Sequence, residues 1–524
     1  MQGFTKLVFD DKEGALHEKP CKQALHAIRH LGLLFKKLQI PCTSKRCQTA
    51  LYKYVETDRE LGDYSIDEDL LNRFCRVADH LVDSVLIGFD TEFLVPKHGP
   101  GSTADALRGN QKFDSSQLTW ITEWDQYLFD GLTFAANEDC FHSDPASLKT
   151  RNLEQSTVKV ITVPKTQKTP RIIAMEPTAM QAVQQSIKDF LVKRLESHPL
   201  TRGHVNFTDQ SINRRLALKS SIDRKYATVD LSEASDRIPY KMVDHMFRIN
   251  SSLQDMIFLS RSQAASVDVG DSTVFISKLN KYASMGSATC FPVESLYFYI
   301  VCIVALLEAR RLPPTHTNIF KVSREIYVYG DDIIFPMNEI EVLLLYMPKF
   351  ACKVNTSKTF YKGRFRESCG IDAYDGCNIT PIYCRAIPRT KRDSSAIVSF
   401  TSFCNLLYSE GYRSVPYKLM SFVESIVGCL PTVEETCGGL GWLFPTGNDV
   451  PRRINPSYQR LEFKTLVPHV PMVKDHIEGY GALWKCLLGS SFRKPEDQLP
   501  NVDHLDKSQR RGTLTLKRRW VSPL

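Results

Sequence analysis

Two adjacent carboxylates, Asp331 and Asp332, follow Tyr329-Gly330 between two short apolar runs, Ile326-Tyr327-Val328 and Ile333-Ile334-Phe335. The pattern predicts strand, tight turn, strand, with Gly330 in the turn and both anions at its tip. Neighbouring anions on a hairpin tip are poorly solvated, so a cation there accounts for them best. A hard cation shared between carboxylates and substrate phosphates is most often Mg²⁺. An exposed Gly-Asp turn is the plain alternative. To hold two ions, the pair needs a third oxygen ligand, and the best candidate is Asp230, which ends the apolar run Tyr226-Ala227-Thr228-Val229. Asp230 could instead cap the next helix, although Asp236 competes for that position. Three carboxylates around two Mg²⁺ ions would clamp the attacking and leaving oxygens of a phosphoryl transfer. One ion would acidify a hydroxyl nucleophile and the other would neutralise departing pyrophosphate.

A triphosphate also needs cations that do not titrate. Lys165, Lys168 and Arg171 lie in Val163-Pro164-Lys165-Thr166-Gln167-Lys168-Thr169-Pro170-Arg171, which contains no acid. Pro164 and Pro170 stiffen this stretch and lower the entropy cost of holding three cations together. Taken alone, it reads equally as a solvated surface loop. Ser284-Met285-Gly286-Ser287-Ala288 opens a helix with small residues. Gly286 there admits another backbone or a nucleotide, and the free amides suit a phosphate or sugar. An ordinary helix cap explains the segment as well.

The elements that must position these groups are legible in outline. Residues 158–163 and 171–174 read as strands around the basic turn, and 181–195 as a helix. Residues 225–231 form a strand and 240–249 a helix, with a hairpin over 267–276 turning at Gly270-Asp271. The apolar run 296–307, bounded by Glu294 and Glu308, is too short to span a bilayer and reads as a buried helix. The first ninety residues are mostly helical, notably 25–38 and 70–86, and the last part has helical signals at 399–407 and 417–427. A loop at His98-Gly99-Pro100-Gly101-Ser102 excludes regular structure. The order predicts an α+β fold on an antiparallel sheet.

At 524 residues, with 43% hydrophobic and 24% charged residues, the chain reads as a globular protein of two to four lobes. The formal charge of +8 only hints at a polyanionic partner. The stretch 507–520 is more pointed, with Lys507, Arg510, Arg511, Lys517, Arg518 and Arg519 and no acid; it is either a phosphate grip or a solvated tail. The 15 cysteines include no C-x-x-C pair. The spacing of Cys369, Cys377 and Cys384 does not match zinc sites, so reduced, mostly buried thiols in a cytosolic protein are expected. The first residues lack the basic-then-apolar layout of a signal peptide.

In this order, the segments resemble the motif series of viral RNA-dependent RNA polymerases. The chain is most similar to the replicase subunit of the single-stranded RNA bacteriophages, the leviviruses. The matches are His98-Gly99-Pro100-Gly101, Thr162-Val163-Pro164-Lys165, Asp209-Gln210-Ser211-Ile212-Asn213 and Phe365-Arg366-Glu367-Ser368-Cys369-Gly370, beside Asp230-Leu231-Ser232-Glu233-Ala234-Ser235-Asp236 and the Asp-Asp hairpin. They extend over about residues 95–385. The resemblance implies a right-hand fold of fingers, palm and thumb, with an antiparallel palm sheet and largely helical N- and C-terminal parts. Residues 1–90 would form an N-terminal helical region. Residues 91–223 and 250–277 would belong to the fingers, 224–249 and 278–387 to the palm, and 388–524 to the thumb and basic tail. Asp230 and Asp331 would be the principal metal ligands, with Asp332 supporting, for two Mg²⁺ ions replaceable by Mn²⁺. Lys165, Lys168 and Arg171 would hold the triphosphate, and Asp236 would sit near its ribose hydroxyl. Ser284, Gly286 and Ser287 would line the template–nucleotide contact. Lys358 would stand where a lysine protonates pyrophosphate, or else be a surface charge. Related enzymes often carry Asn-Gly where this chain has Ser287-Ala288, which leaves ribose discrimination open.

The resemblance further implies an RNA template and product, nucleoside triphosphates, and the host translation elongation factors Tu and Ts with a ribosomal protein. The setting would be the bacterial cytoplasm, with no membrane. Two other readings compete. A reverse transcriptase shares the Asp-Asp hairpin, but usually has a bulky residue where Asp236 stands. A non-catalytic RNA-binding protein with a polymerase-like fold would have lost acidic residues that are all retained here.

Overall fold

The computed structural model of the chain describes residues 2–10, 12–114, 117–127, 149–166, 168–469, 476–491 and 514–523. After a short helix at Gln2–Lys6 come three longer ones: α1 (Lys22–Leu33), α2 (Ser44–Gly62) and α3 (Glu68–Val85). In α3, Leu70, Phe74, Ala78, Leu81 and Val85 recur at helical spacing and are all buried. Asp67 caps it by accepting the Leu70 N–H at 3.1 Å. α2 is far more polar and has no counterpart in the sequence expectation beyond its general helical character.

Strands β1 (Thr157–Val163) and β2 (Arg171–Met175) form an antiparallel hairpin closing at Val163 and Arg171, so the basic stretch is its loop. Helices α4 (Thr178–Ser197) and α5 (Ser211–Asp223) follow, then β3 (Tyr226–Val229) and α6 (Tyr240–Phe247). The expected hairpin appears as β4 (Ala264–Asp268) and β5 (Thr273–Ile276), in a four-stranded sheet ordered β2-β1-β4-β5. The apolar run becomes α7 (Cys290–Ala309). This helix is long and apolar enough to cross a membrane by length and composition, and 94% of that window is buried inside the fold. It packs against the central sheet, where β6 (Tyr327–Tyr329) and β7 (Asp332–Pro336) join β3 in the order β3-β7-β6, all antiparallel.

Beyond the central sheet, β8 (Phe365–Ser368) and β9 (Ile371–Tyr374) form a tight hairpin, followed by α8 (Ser394–Ser409) and α9 (Ser414–Val427). The C-terminal part is less purely helical than expected. It closes on an antiparallel sheet of β10 (Arg452–Asn455), β11 (Arg460–His469) and β12 (Thr515–Val521). Lys517, Arg518 and Arg519 therefore sit in a paired strand with exposed side chains rather than in an irregular tail, and Arg518 donates to the Val427 carbonyl at 2.7 Å. Three consecutive cations conceal the period-2 pattern of a strand, so only main-chain pairing reveals it. Lys507, Arg510 and Arg511 lie outside the described residues.

Buried apolar side chains gather in three clusters. The largest joins α3, α4, α6, α7 and the central sheet; a second lies under α8 and α9, and a third between α2 and the four-stranded sheet. The fourteen described cysteines are all free and eight are buried, as expected of reduced thiols.

Candidate active site

Strand register brings the carboxylates together. Val229 pairs with Ile333 across β3 and β7, and Tyr329 pairs with Asp332 across β6 and β7. Continuing the first register by one residue puts Asp230 level with Asp332, on strands spaced about 4.8 Å apart. Gly330 turns the chain between them at φ +62°, and its N–H donates to Ser295 Oγ at 3.2 Å. Asp331 keeps contact with solvent, yet protein atoms crowd its carboxylate, as befits a group in a cleft. Burial and the charge of Asp230 raise its pKa. Asp332 is pushed up to about 7, first by burial and then by Asp331, against the opposing Cys369 N–H that donates to its Oδ2 at 3.1 Å. Asp230 is held from the other side. Asn355 Nδ2 donates to its Oδ2 at 2.7 Å and Lys358 Nζ to its Oδ1 at 3.2 Å. Burial pulls the Lys358 pKa down, but Asp230, Glu367 and Asp331 outweigh it and raise it.

Crowded carboxylates, two of them with raised pKa values, are a donor set suited to a hard dication. Asp230 and Asp331 fit that role. Asp332 has one oxygen committed to the Cys369 amide, which suits a lesser part. Among the described residues, no group of three His, Cys, Asp or Glu side chains is placed to hold a metal ion unaided. A Mg²⁺-type site takes one or two carboxylates and leaves its remaining positions to water and substrate phosphates, so Asp230 and Asp331 are the pair that would hold it.

A cleft of about 460 Å³ opens beside these carboxylates. Lys165, Lys168 and Arg171 line one side, Asp236 and Met285 another, and Asp331 reaches into it. Burial, then Arg171 and Lys358, lower the Lys165 pKa, while Asp331 and Asp230 oppose them, so the basic loop folds over the acids. Asp236 is not a helix cap: its Oδ1 accepts from Ser284 Oγ at 2.7 Å and from Lys281 Nζ at 3.5 Å. Gly286 and Ser287 are turned away from the cleft. The Ala174 N–H donates to the Met285 carbonyl at 2.9 Å, and Gly286 lies so close to β2 that a Cβ would overlap the Ala174 carbonyl. Ser287 Oγ donates to Gln184 Oε1 at 3.1 Å. Of the two sequence alternatives for Gly286, close approach by another backbone is the one observed. Lys358 is no free surface charge; it is the partner of Asp230.

Several residues at this site were not singled out from sequence. Arg46, Lys53 and Tyr54 reach the cleft from α2, and the buried Glu294 from α7. Burial, then Asp331, push the Glu294 carboxyl far above its usual range, which favours its neutral form. A lone acid near the start of an apolar helix is the only sequence signal for it. Two of the quoted motifs have a structural purpose here. Asn213, at the start of α5, donates to the Asp332 carbonyl at 3.3 Å, and Arg214 to the Cys369 carbonyl at 3.0 Å. They clamp the β8–β9 turn that supplies the Cys369 amide. In the loop 98–101, Lys112 Nζ donates to the Gly99 and Gly101 carbonyls at 2.7 and 2.5 Å.

With that geometry in hand, similarity to known proteins decides the family. The model of the family described as RNA replicase, beta-chain, matches residues 134–400, half of the chain. The chain belongs to this family. It is 34% identical over 231 residues to the RNA-directed RNA polymerase subunit beta of Escherichia virus Qbeta, covering 43% of this chain and 35% of that one. With the RNA-directed RNA polymerase beta chain of Escherichia phage MS2 it shares 33% over 224 residues, covering 43% and 37%. With that of Enterobacteria phage GA it shares 25% over 386 residues, covering 71% and 66%. For the first two, the match spans little more than a third of the relative's own length.

Proposed function

We propose that this RNA replicase beta-chain family member is a template-directed RNA polymerase that copies a phage RNA genome from nucleoside triphosphates in the bacterial cytoplasm. The observation that carries this is one convergence. Asp230 and Asp331, a hundred residues apart, stand close enough for the Asp230 charge to raise the Asp331 pKa, beneath the basic loop of Lys165, Lys168 and Arg171 and beside a cleft of about 460 Å³. Asp230 and Asp331 would hold Mg²⁺ or Mn²⁺, with Asp332 supporting. Such ions would supply activation of the 3′-hydroxyl and charge neutralisation of the departing pyrophosphate. Lys165, Lys168 and Arg171 draw in the triphosphate and fix its orientation by charge. Lys358 holds a proton at Nζ beside Asp230, suited to the leaving pyrophosphate. Asp332 and its Cys369 amide keep the hairpin tip rigid, and base choice falls to Watson–Crick pairing with the template. On this reading the central sheet is the palm, the four-stranded sheet and its basic loop are fingers, and α8, α9 and the last sheet form the thumb. The relatives' designation as a beta chain supports assembly with further subunits, for which elongation factors Tu and Ts and a ribosomal protein are the candidates.

The test is Asp331→Asn, compared with the parent for ribonucleotide and deoxyribonucleotide incorporation on a primed RNA template, with and without bacterial extract. Incorporation should fall at least about a thousandfold with RNA binding unchanged. Survival of incorporation refutes the enzymatic reading, and preference of the parent for deoxyribonucleotides turns it to reverse transcription.

A further inference from the structure

α2 stands over the cleft. Thr49, Lys53, Tyr54 and Thr57 fall on one face of it and line the cleft's wall. Three attachments hold that face down. Asp58 accepts the backbone N–H groups of Asn280 and Lys281, each at 3.1 Å. Glu233 accepts from Thr57 Oγ1 at 3.4 Å and pairs with Lys53. The Lys281 ammonium, fully buried, lies 3.5 Å from the centre of the Tyr54 ring and donates to the Tyr54 carbonyl at 3.2 Å. A buried ammonium is costly unless its partners are fixed, so this arrangement is stiff.

The hydrogens at its centre can be counted. Ser284 Oγ lies 2.7 Å from Asp236 Oδ1 and 3.2 Å from the Tyr54 hydroxyl. A serine carries one hydroxyl proton, and an ionised carboxylate only accepts. Ser284 therefore donates to Asp236, and the Tyr54 hydroxyl donates to Ser284. Burial raises the Tyr54 pKa far above the usual phenol value, which keeps that donor protonated. Asp236 Oδ1 is thus held from behind by Ser284 and Lys281. Among the described residues, nothing bonds to Oδ2, and Asp236 lines the cleft.

We propose that α2 is the ribose-selecting wall of the nucleotide cleft. Tyr54, through Ser284, together with Lys281, fixes Asp236 so that Oδ2 accepts a hydrogen bond from the sugar hydroxyl of an incoming ribonucleotide. The inference rests on the polymerase reading above; Tyr54 and Lys281 are positioning residues, and Asp236 meets the sugar. A substrate without the 2′-hydroxyl gains nothing from the orientation of Asp236, so loosening it penalises the ribonucleotide alone.

The experiment is steady-state incorporation of one ribonucleoside triphosphate and its 2′-deoxy counterpart by the full chain, its Tyr54→Phe, Ser284→Ala and double variants. Tyr54→Phe keeps the ring under Lys281 and removes one hydrogen bond. KM for the ribonucleotide should rise roughly three- to tenfold with kcat nearly unchanged, and KM for the deoxynucleotide should stay constant. In the Ser284→Ala background, Tyr54→Phe should add nothing, because its effect passes through that hydroxyl. Equal effects on both substrates, or full additivity, overturn the proposal. A parent chain that binds RNA and incorporates neither nucleotide refutes the polymerase reading itself. A parent that discriminates as before after Tyr54→Phe refutes only the role of α2.

Discussion

Gly286→Ala should injure both stability and nucleotide use, and the size follows from its surroundings. Its φ of +131° belongs to a region that residues with a side chain rarely adopt, at a cost of ~1–3 kcal/mol. The added Cβ would overlap the Ala174 carbonyl oxygen, 2.8 Å from its carbon and 3.2 Å from Ile173 Cγ2. Those are atoms of β2, whose backbone is paired to β1 and cannot rotate aside. The loop itself must retreat, giving up the bond from the Ala174 N–H to the Met285 carbonyl, worth ~1 kcal/mol. A total loss of ~2–4 kcal/mol is expected. The retreat also draws Ser284 off Asp236, so KM for ribonucleotides should rise about tenfold. Urea unfolding of the parent, Gly286→Ala and Gly438→Ala, whose added Cβ meets open space, gives the comparison. If Gly286→Ala unfolds with Gly438→Ala and keeps the parent's KM, the close approach to β2 does not constrain this loop.

Two other perturbations probe buried titratable groups. Burial, then Lys112, push His98 from 6.5 down to about 4, so the fold holds it neutral while the unfolded chain protonates it. Stability from this group is complete above pH 6.5 and is lost as pH falls towards 4, by at most ~3 kcal/mol; His98→Gln should flatten that acid limb, and an unchanged pH–stability curve would count against the burial argument. The raised Glu294 pKa favours the neutral carboxyl, whose shape and charge Gln mimics, so Glu294→Gln should leave incorporation within about twofold of the parent. A loss as deep as that of Asp331→Asn would mean that Glu294 works as an anion.

Local pattern sufficed for much of this protein. Apolar runs around Gly330 and at 226–229 and the proline-bounded basic stretch each encode their own strand or turn through neighbouring residues. Those elements lie in their expected order, with the hairpin carboxylates at the tip. The same runs fall in one central sheet, because each is too apolar to be left in water. What the chain could not reveal alone were partners set by distant contacts. Nothing in the chain singles out α2 beyond a generally helical first part, and only its docking on 233–237 and 280–284 turns its polar face into a wall of the cleft. The pairing of Lys358 with Asp230, the Cys369 amide on Asp332 and the backbone that Gly286 touches are likewise settled by packing. A side chain's type shows what it can bond to, but which atom comes within reach depends on how separate elements are stacked.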